Sequence, residues 1–189
     1  NGLKLLDVKL NEINGGSIEI ICCHLDANKK INNILINSLK KDETKINKKS
    51  FYNFNRRIFQ IKRDLRKFLS NNKDVSAYGA STKGNIVLNL CKLSSKEIAF
   101  VCDANSKKFG SFTPGSDIKI ISKEKMRKIS PKYLLVLIWS FRKEVIKQES
   151  DYIKSGGNLV FHLPKFHIIN RKNYRFYLNK SFKDMSYRY

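Results

Sequence analysis

Apolar and polar positions along this chain switch between two periods, and the switches outline its elements. Leu3, Leu5, Leu6, Val8 and Leu10 form one apolar-rich run, Asn14-Gly15-Gly16 a turn, and Ile18, Ile20 and Ile21 a second run. Asn-Gly readily adopts the left-handed backbone of a tight turn, so these residues predict a strand hairpin. Ala27 to Ser50 is polar and lysine-rich, with Ile31, Ile34, Leu35 and Leu39 at helical spacing, which predicts a linker carrying a short helix. From Phe51 to Leu69 the positions Phe54, Ile58, Ile61, Leu65, Phe68 and Leu69 fall on one helical face. Arg56, Arg57, Lys62, Arg63, Arg66 and Lys67 supply a basic, solvated one.

The period then changes. Val75, Ala77 and Tyr78 predict a short strand entering a turn at Gly79. Ser81 and Thr82 stand at a helix N-cap, ahead of an apolar helical face of Ile86, Val87, Leu88 and Leu90. Strand, glycine turn and helix start form the first unit of a nucleotide-binding α/β fold. The N–H groups of such a helix start have no intrahelical partners and can receive an anion. Lys83 adds a mobile cation, and Gly84 suggests room for a ligand near the backbone. The spacing is neither G-x-G-x-x-G nor a phosphate loop.

Ile98 to Cys102 reads as a second buried strand, followed by Asp103. An acid about 20 residues past the glycine turn is where dinucleotide folds bind a ribose hydroxyl. Capping the loop Ala104-Asn105-Ser106 is the other role open to it. Gly110 and Pro114-Gly115 mark turns before the strand-like Ile118 to Ile121, and a helix over Lys123 to Lys128 follows. Tyr133 to Ile138 is a continuous apolar run, the pattern of a parallel strand covered on both faces. It delivers Trp139, Ser140 and Phe141 to its C-terminal end, where α/β sheets place ligands. Trp139 there is either a core plug or a stacking surface. A helix from Arg142 to Lys154 ends at Gly156-Gly157, and Asn158 to Leu163 predicts the last strand. The tail from Ile168 to Tyr189 is basic and aromatic (Tyr174, Phe176, Tyr177, Tyr187, Tyr189), weakly ordered or packed down.

Charge and cysteine content narrow the classes. The 189 residues carry a net charge of +22, yet the lysines sit in short runs spread over solvated faces, with no basic helix interleaved with base-reading residues. No nucleic-acid partner is expected. Cys22, Cys23, Cys91 and Cys102 include no CxxC pair, and neither they nor His24, His162 and His167 are spaced for a metal. They read as buried free thiols in a reducing cytoplasm, and the histidines as structural. No apolar run approaches the roughly 20 residues that span a bilayer, so no membrane partner is expected.

The ordered motifs Tyr78-Gly79-Ala80-Ser81-Thr82-Lys83-Gly84-Asn85, Asp103-Ala104-Asn105 and Phe112-Thr113-Pro114-Gly115-Ser116-Asp117-Ile118 carry a family resemblance. Trp139-Ser140-Phe141, Gly156-Gly157-Asn158 and Leu163-Pro164 continue it. Together they resemble the C-terminal domain of the sugar C-methyltransferases, S-adenosylmethionine-dependent enzymes that methylate a ring carbon of nucleotide-linked deoxysugars. The resemblance implies a Rossmann-like three-layer α/β domain with a mostly parallel sheet over 51–167. A strand hairpin over 1–26 would be left over from an upstream methyltransferase domain, with a basic linker over 27–50 and a tail over 168–189. It implies that S-adenosylmethionine binds the missing upstream domain, that this fragment holds no cofactor and is inactive alone, and that its partners are the nucleotide-sugar and its own missing N-terminal and central domains. Gly79, Ala80, Ser81, Thr82, Lys83, Asn85 and Asp103 would lie at the nucleotide, with Trp139 and Phe141 walling the cleft. Asn14 stands where many members carry a histidine, a candidate base near the sugar; an amide cannot take that proton. A self-contained dinucleotide-binding domain and a basic scaffold module are the alternatives.

Overall fold

A computed structural model describes residues 1–181 and divides the chain into two compact units, Asn1–Ile58 and a second from Phe59 onward. In the first unit, β1 (Leu3–Asn11) and β2 (Ser17–His24) pair antiparallel, Leu3 opposite His24 and Asn11 opposite Ser17, with a bulge between Leu5 and Asp7. The hairpin closes through a 3-10 turn over Ile13–Gly15, where Asn14 takes a left-handed φ of 56°. The predicted turn is therefore present, in a longer form than a two-residue loop. Helix α1 (Asn33–Glu43) is tethered at its start to β1, the Asn32 N–H donating to the Leu6 carbonyl at 2.8 Å. Val8 and Ile36 are buried, while Leu10, Ile18 and Ile20 are each more than half exposed.

Helix α2 (Lys48–Asn71) contains the division between the units. It starts earlier than the periodicity suggests, so the stretch 27–50 carries more helix than expected. Leu65 and Leu69 of its predicted apolar face are buried and Phe68 packs against them, but Phe54 is 54% exposed.

The second unit contains β3 (Val75–Tyr78), α3 (Thr82–Leu90), β4 (Val101–Asp103), β5 (Ile120–Ser122), α4 (Lys123–Ile129), β6 (Tyr133–Val136), α5 (Arg142–Gln148), α6 (Ser150–Lys154), β7 (Asn158–Phe161), β8 (His167–Ile169) and α7 (Tyr174–Asn179). The sheet order is β5-β4-β3-β6-β7-β8, all parallel except β8, which runs against β7. The order reverses between β3 and β6, which is the Rossmann topology and its ligand-binding switch point. Alternate residues of each strand feed two cores. Val75, Ala77, Leu135 and Val160 join Leu65, Leu69 and Leu88 on the α2–α3 side. Tyr78, Leu134, Val136 and Phe161 join Met126, Ile146 and Ile153 on the α4–α6 side. This is the expected three-layer α/β domain.

Three elements depart from their sequence pattern. The helix expected over Arg142 to Lys154 breaks at Glu149, whose backbone leaves the helical region (φ −106°, ψ 27°). Its carboxylate is 1% exposed and accepts two bonds from Arg127 of α4, at 2.9 and 2.8 Å, and one from the Tyr78 hydroxyl at 2.9 Å. Burial chiefly, and then the adjacent Glu149 carboxylate, push the Tyr78 hydroxyl far up, so it stays a donor. A network drawn from three elements thus overrides local propensity. Second, Asn158 to Leu163 is not the last strand. His167–Ile169 forms β8, too short to show a period, and Tyr174, Tyr177 and Leu178 pack on the core behind it. The described part of the tail is therefore packed through Tyr174, Tyr177 and Leu178 while Phe176 is exposed; Tyr187 and Tyr189 lie outside the described residues. Third, only Cys91 and Cys102 are buried; Cys22 is exposed and Cys23 partly so, all four being free thiols.

Candidate functional site

The turn leaving β3 is shaped by packing. Gly79 has φ +92°, and a Cβ there would lie 2.6 Å from Ile138 Cγ2 on the stretch leaving β6. Gly84 sits on Leu137, whose Cβ an added methyl would meet at 2.8 Å. The expectation that Gly84 admits a ligand is corrected by that contact: its missing side chain lets α3 lie close on the sheet. Gly79-Ala80-Ser81-Thr82-Lys83-Gly84 therefore keeps the turn and helix-packing roles of the first and third glycines of a dinucleotide turn. At the middle position, where a glycine lets a pyrophosphate approach the backbone, stands Ser81.

Ser81 is the N-cap of α3, with its Oγ accepting from the Gly84 N–H at 3.0 Å. Ser81→Ala is expected to lower stability by about 1 kcal/mol, seen as a lower urea midpoint at unchanged slope.

Most N–H groups of the turn are taken. Gly79 donates to the Cys102 carbonyl at 2.7 Å, Ser81 to the Gly79 carbonyl at 2.9 Å and Asn85 to the Ser81 carbonyl at 2.9 Å. Ala80 donates to Asp103 Oδ2 at 2.8 Å. Asp103 Oδ1 accepts the Asn105 N–H at 2.9 Å, the loop-capping role considered for it. Lys108 completes the group: its Nζ donates to the Ala80 carbonyl at 2.8 Å and lies 3.5 Å from Asp103 Oδ2. Sequence reasoning missed Lys108, because nothing in the spacing of residues 80, 103 and 108 shows that the β4 loop folds back over the turn. Among the described residues the Thr82 and Lys83 N–H groups have no bond, as expected for the first turn of a helix.

Lys83 and Thr82 are exposed, and Lys83 forms no ion pair among the described residues. Asn85 is half-buried, and its Oδ1 is buried with no hydrogen bond among those residues. The β6 exit continues past Ile138 into a 3-10 turn of Trp139–Phe141. Trp139 is half-buried against the α4–α6 core, and Phe141 is 47% exposed. The structure thus gathers residues 79–85, Asp103 and the Ile138–Phe141 stretch at the C-terminal ends of β3, β4 and β6. Asn14 belongs to the other compact unit, exposed in its hairpin turn.

Chemically, this end of the sheet offers two amides, the Thr82 hydroxyl and the Lys83 ammonium to an anion, and the half-exposed Phe141 ring stands at the exit of β6. Among the described residues no three His, Cys, Asp or Glu side chains converge to hold a metal ion. No helix there is long and apolar enough to cross a membrane.

Comparison with known proteins adds a family. The family model described as C-methyltransferase C-terminal domain matches residues 12–164. The C-methyltransferase NovU of Streptomyces niveus is 28% identical over 179 residues, covering 92% of this chain and 43% of that protein. The chain thus spans less than half the length of that relative.

Proposed function

The chain belongs to the C-methyltransferase C-terminal domain family, and from that premise we propose that it is the substrate-side domain of an S-adenosylmethionine-dependent enzyme that methylates a carbon of a nucleotide-linked deoxysugar. One observation carries the reading: the switch point between β3 and β6 presents Thr82 and Lys83 amides with no bond, and a Lys83 ammonium with no ion pair, among the described residues, with the half-exposed Phe141 at the exit of β6. Such a group suits the diphosphate and base of a nucleotide. Ser81 and Thr82 supply hydroxyls, Lys83 neutralises phosphate, and the half-buried Asn85 adds its side-chain amide on the next turn of α3. Gly79 and Ala80 shape the turn beneath. Trp139 and Phe141 wall the cleft, and Asp103 fixes the loop.

The β1–β2 hairpin fits a second part of the proposal. Two strands alone are marginal in water, and Leu10, Ile18 and Ile20 stand exposed on them, as they would if the pair completed the sheet of a preceding methyltransferase domain. The cofactor is assigned to that domain, as the family resemblance implies; in keeping with this, the dinucleotide-like turn after β3 has its Ala80 N–H already bonded to Asp103. S-adenosylmethionine would there supply the electrophilic methyl group. Asn14 lacks a basic atom; in this reading it orients an oxygen of the sugar while the proton goes to a base outside this chain.

A thermal-unfolding titration tests this. At 100-fold over Kd, a nucleoside diphosphate such as thymidine diphosphate is expected to stabilise the chain by about 2.7 kcal/mol. S-adenosylmethionine should give no shift, and Lys83→Ala should abolish the nucleotide's. Stabilisation by S-adenosylmethionine alone, or a nucleotide shift indifferent to Lys83→Ala, would overturn the reading.

A further inference from the structure

We propose that Asp103 is the resident anion of the glycine turn, a specificity-determining residue that closes this Rossmann-like domain to dinucleotides. In dinucleotide folds the turn after the first strand gives its amides to a pyrophosphate, and an acid at the end of the second strand holds a ribose hydroxyl. Here that acid turns inward. Asp103 Oδ2 takes the Ala80 N–H at 2.8 Å, and Lys108 covers the other side of the same residue through the Ala80 carbonyl, also at 2.8 Å.

Three independent features agree. The glycine that would admit the pyrophosphate is replaced by Ser81, whose hydroxyl is engaged in capping α3. Ala80 is 8% exposed, so a ligand oxygen reaches its N–H only by displacing Asp103. The Asp103 side chain is itself only 13% exposed and already ion-paired with Lys108 at 3.5 Å, so a carboxylate with its own counter-ion fills the place a ligand oxygen would take at Ala80. A carboxylate carried on the neighbouring strand forfeits no translational freedom when it binds the turn, whereas an incoming phosphate does. The two unbonded amides, Thr82 and Lys83, lie further along α3, so an anion is admitted there and excluded from Ala80.

The test is the ¹H–¹⁵N amide spectrum of the chain titrated with inorganic pyrophosphate and with NAD, for wild type, Asp103→Ala and Asp103→Asn. In wild type the Ala80 amide is expected to stay in place with both ligands. In Asp103→Ala it should move, with pyrophosphate affinity rising at least tenfold. Asp103→Asn, which keeps an acceptor oxygen without the charge, should fall between them. Movement of Ala80 in wild type as large as that of Thr82 and Lys83, or a folded Asp103→Ala chain whose Ala80 remains unmoved, overturns the inference. If Asp103→Ala does not fold, Asp103→Asn decides: it must bind pyrophosphate more tightly than wild type does. The outcome is separate from that of the proposed function. A nucleoside diphosphate that leaves Thr82 and Lys83 unmoved counts against the substrate site, whatever Ala80 does.

Discussion

Gly79→Ala is expected to destabilise the second unit by about 2–5 kcal/mol, a large part of the ~5–15 kcal/mol that holds a domain folded. Two costs add. An alanine at φ +92° occupies backbone space that side chains rarely adopt, at about 1–2 kcal/mol. Its methyl would also lie 2.6 Å from Ile138 Cγ2 and 3.0 Å from Cγ1, and forcing apart a packed contact of that kind costs about 1–3 kcal/mol. Gly110 separates the two, because its φ is +83° with nothing within 4 Å of an added Cβ. Gly110→Ala should therefore show the backbone cost alone. In the double variant Gly79→Ala/Ile138→Ala the contact is gone, and the combined loss should be smaller than the sum of the single losses. Urea unfolding of wild type, the two single variants of that pair, the double variant and Gly110→Ala measures all of this. If Gly79→Ala proves no worse than Gly110→Ala, Ile138 steps aside freely and the close fit of the turn against the β6 exit contributes nothing.

That fit also shows where the sequence was legible. Val75 to Tyr78 and Tyr133 to Ile138 announce buried parallel strands because each is a short, nearly unbroken apolar run between turn residues, a signal that depends only on neighbours in the chain. Ser81 as N-cap was readable for the same reason. The sequence did not show which partner each glycine serves. Gly84 looks like room for a ligand until Leu137, more than fifty positions away in the chain, is seen filling the space. Asp103 posed the same problem in sharper form: its distance from Gly79 suits a ribose contact, and only the loop that brings Lys108 back over Ala80 shows the carboxylate engaged with the turn. Glu149 is the clearest case. Nothing local stops a helix there, and the break follows from Arg127 and Tyr78 converging on one buried carboxylate. Long-range polar pairing left no periodicity to read.

The largest effect of solution conditions is expected from acid. His162 is fully buried at the end of β7, and neither ring nitrogen has a hydrogen-bond partner among the described residues. Burial foremost, and then the nearby His167, hold its pKa down at about 4 against an ordinary 6.5. His167, stacked between the Phe161 and Tyr177 rings, is likewise held at about 4. Burial dominates there too, with the Arg142 charge adding to it and a bond to the Lys165 carbonyl opposing it. Both rings must stay neutral in the fold, while the unfolded chain protonates them from pH 6.5 downward. The unfolded state thus binds more protons in this window, and stability falls as the pH drops from 6.5 towards 4. For His162 alone the loss by pH 4 is about 3 kcal/mol, the distance from 6.5 down to about 4 at roughly 1.36 kcal/mol per pH unit. Carboxylates titrate at the low end of the same range, so the decisive comparison is with His162→Leu, an apolar replacement that needs no partner for a ring nitrogen. Its stability measured by urea unfolding at pH 7, 5.5 and 4.5 should fall less steeply than that of wild type. Parallel curves for the two chains would mean that the imidazole at 162 is solvated or paired in solution and that acid acts on the fold elsewhere.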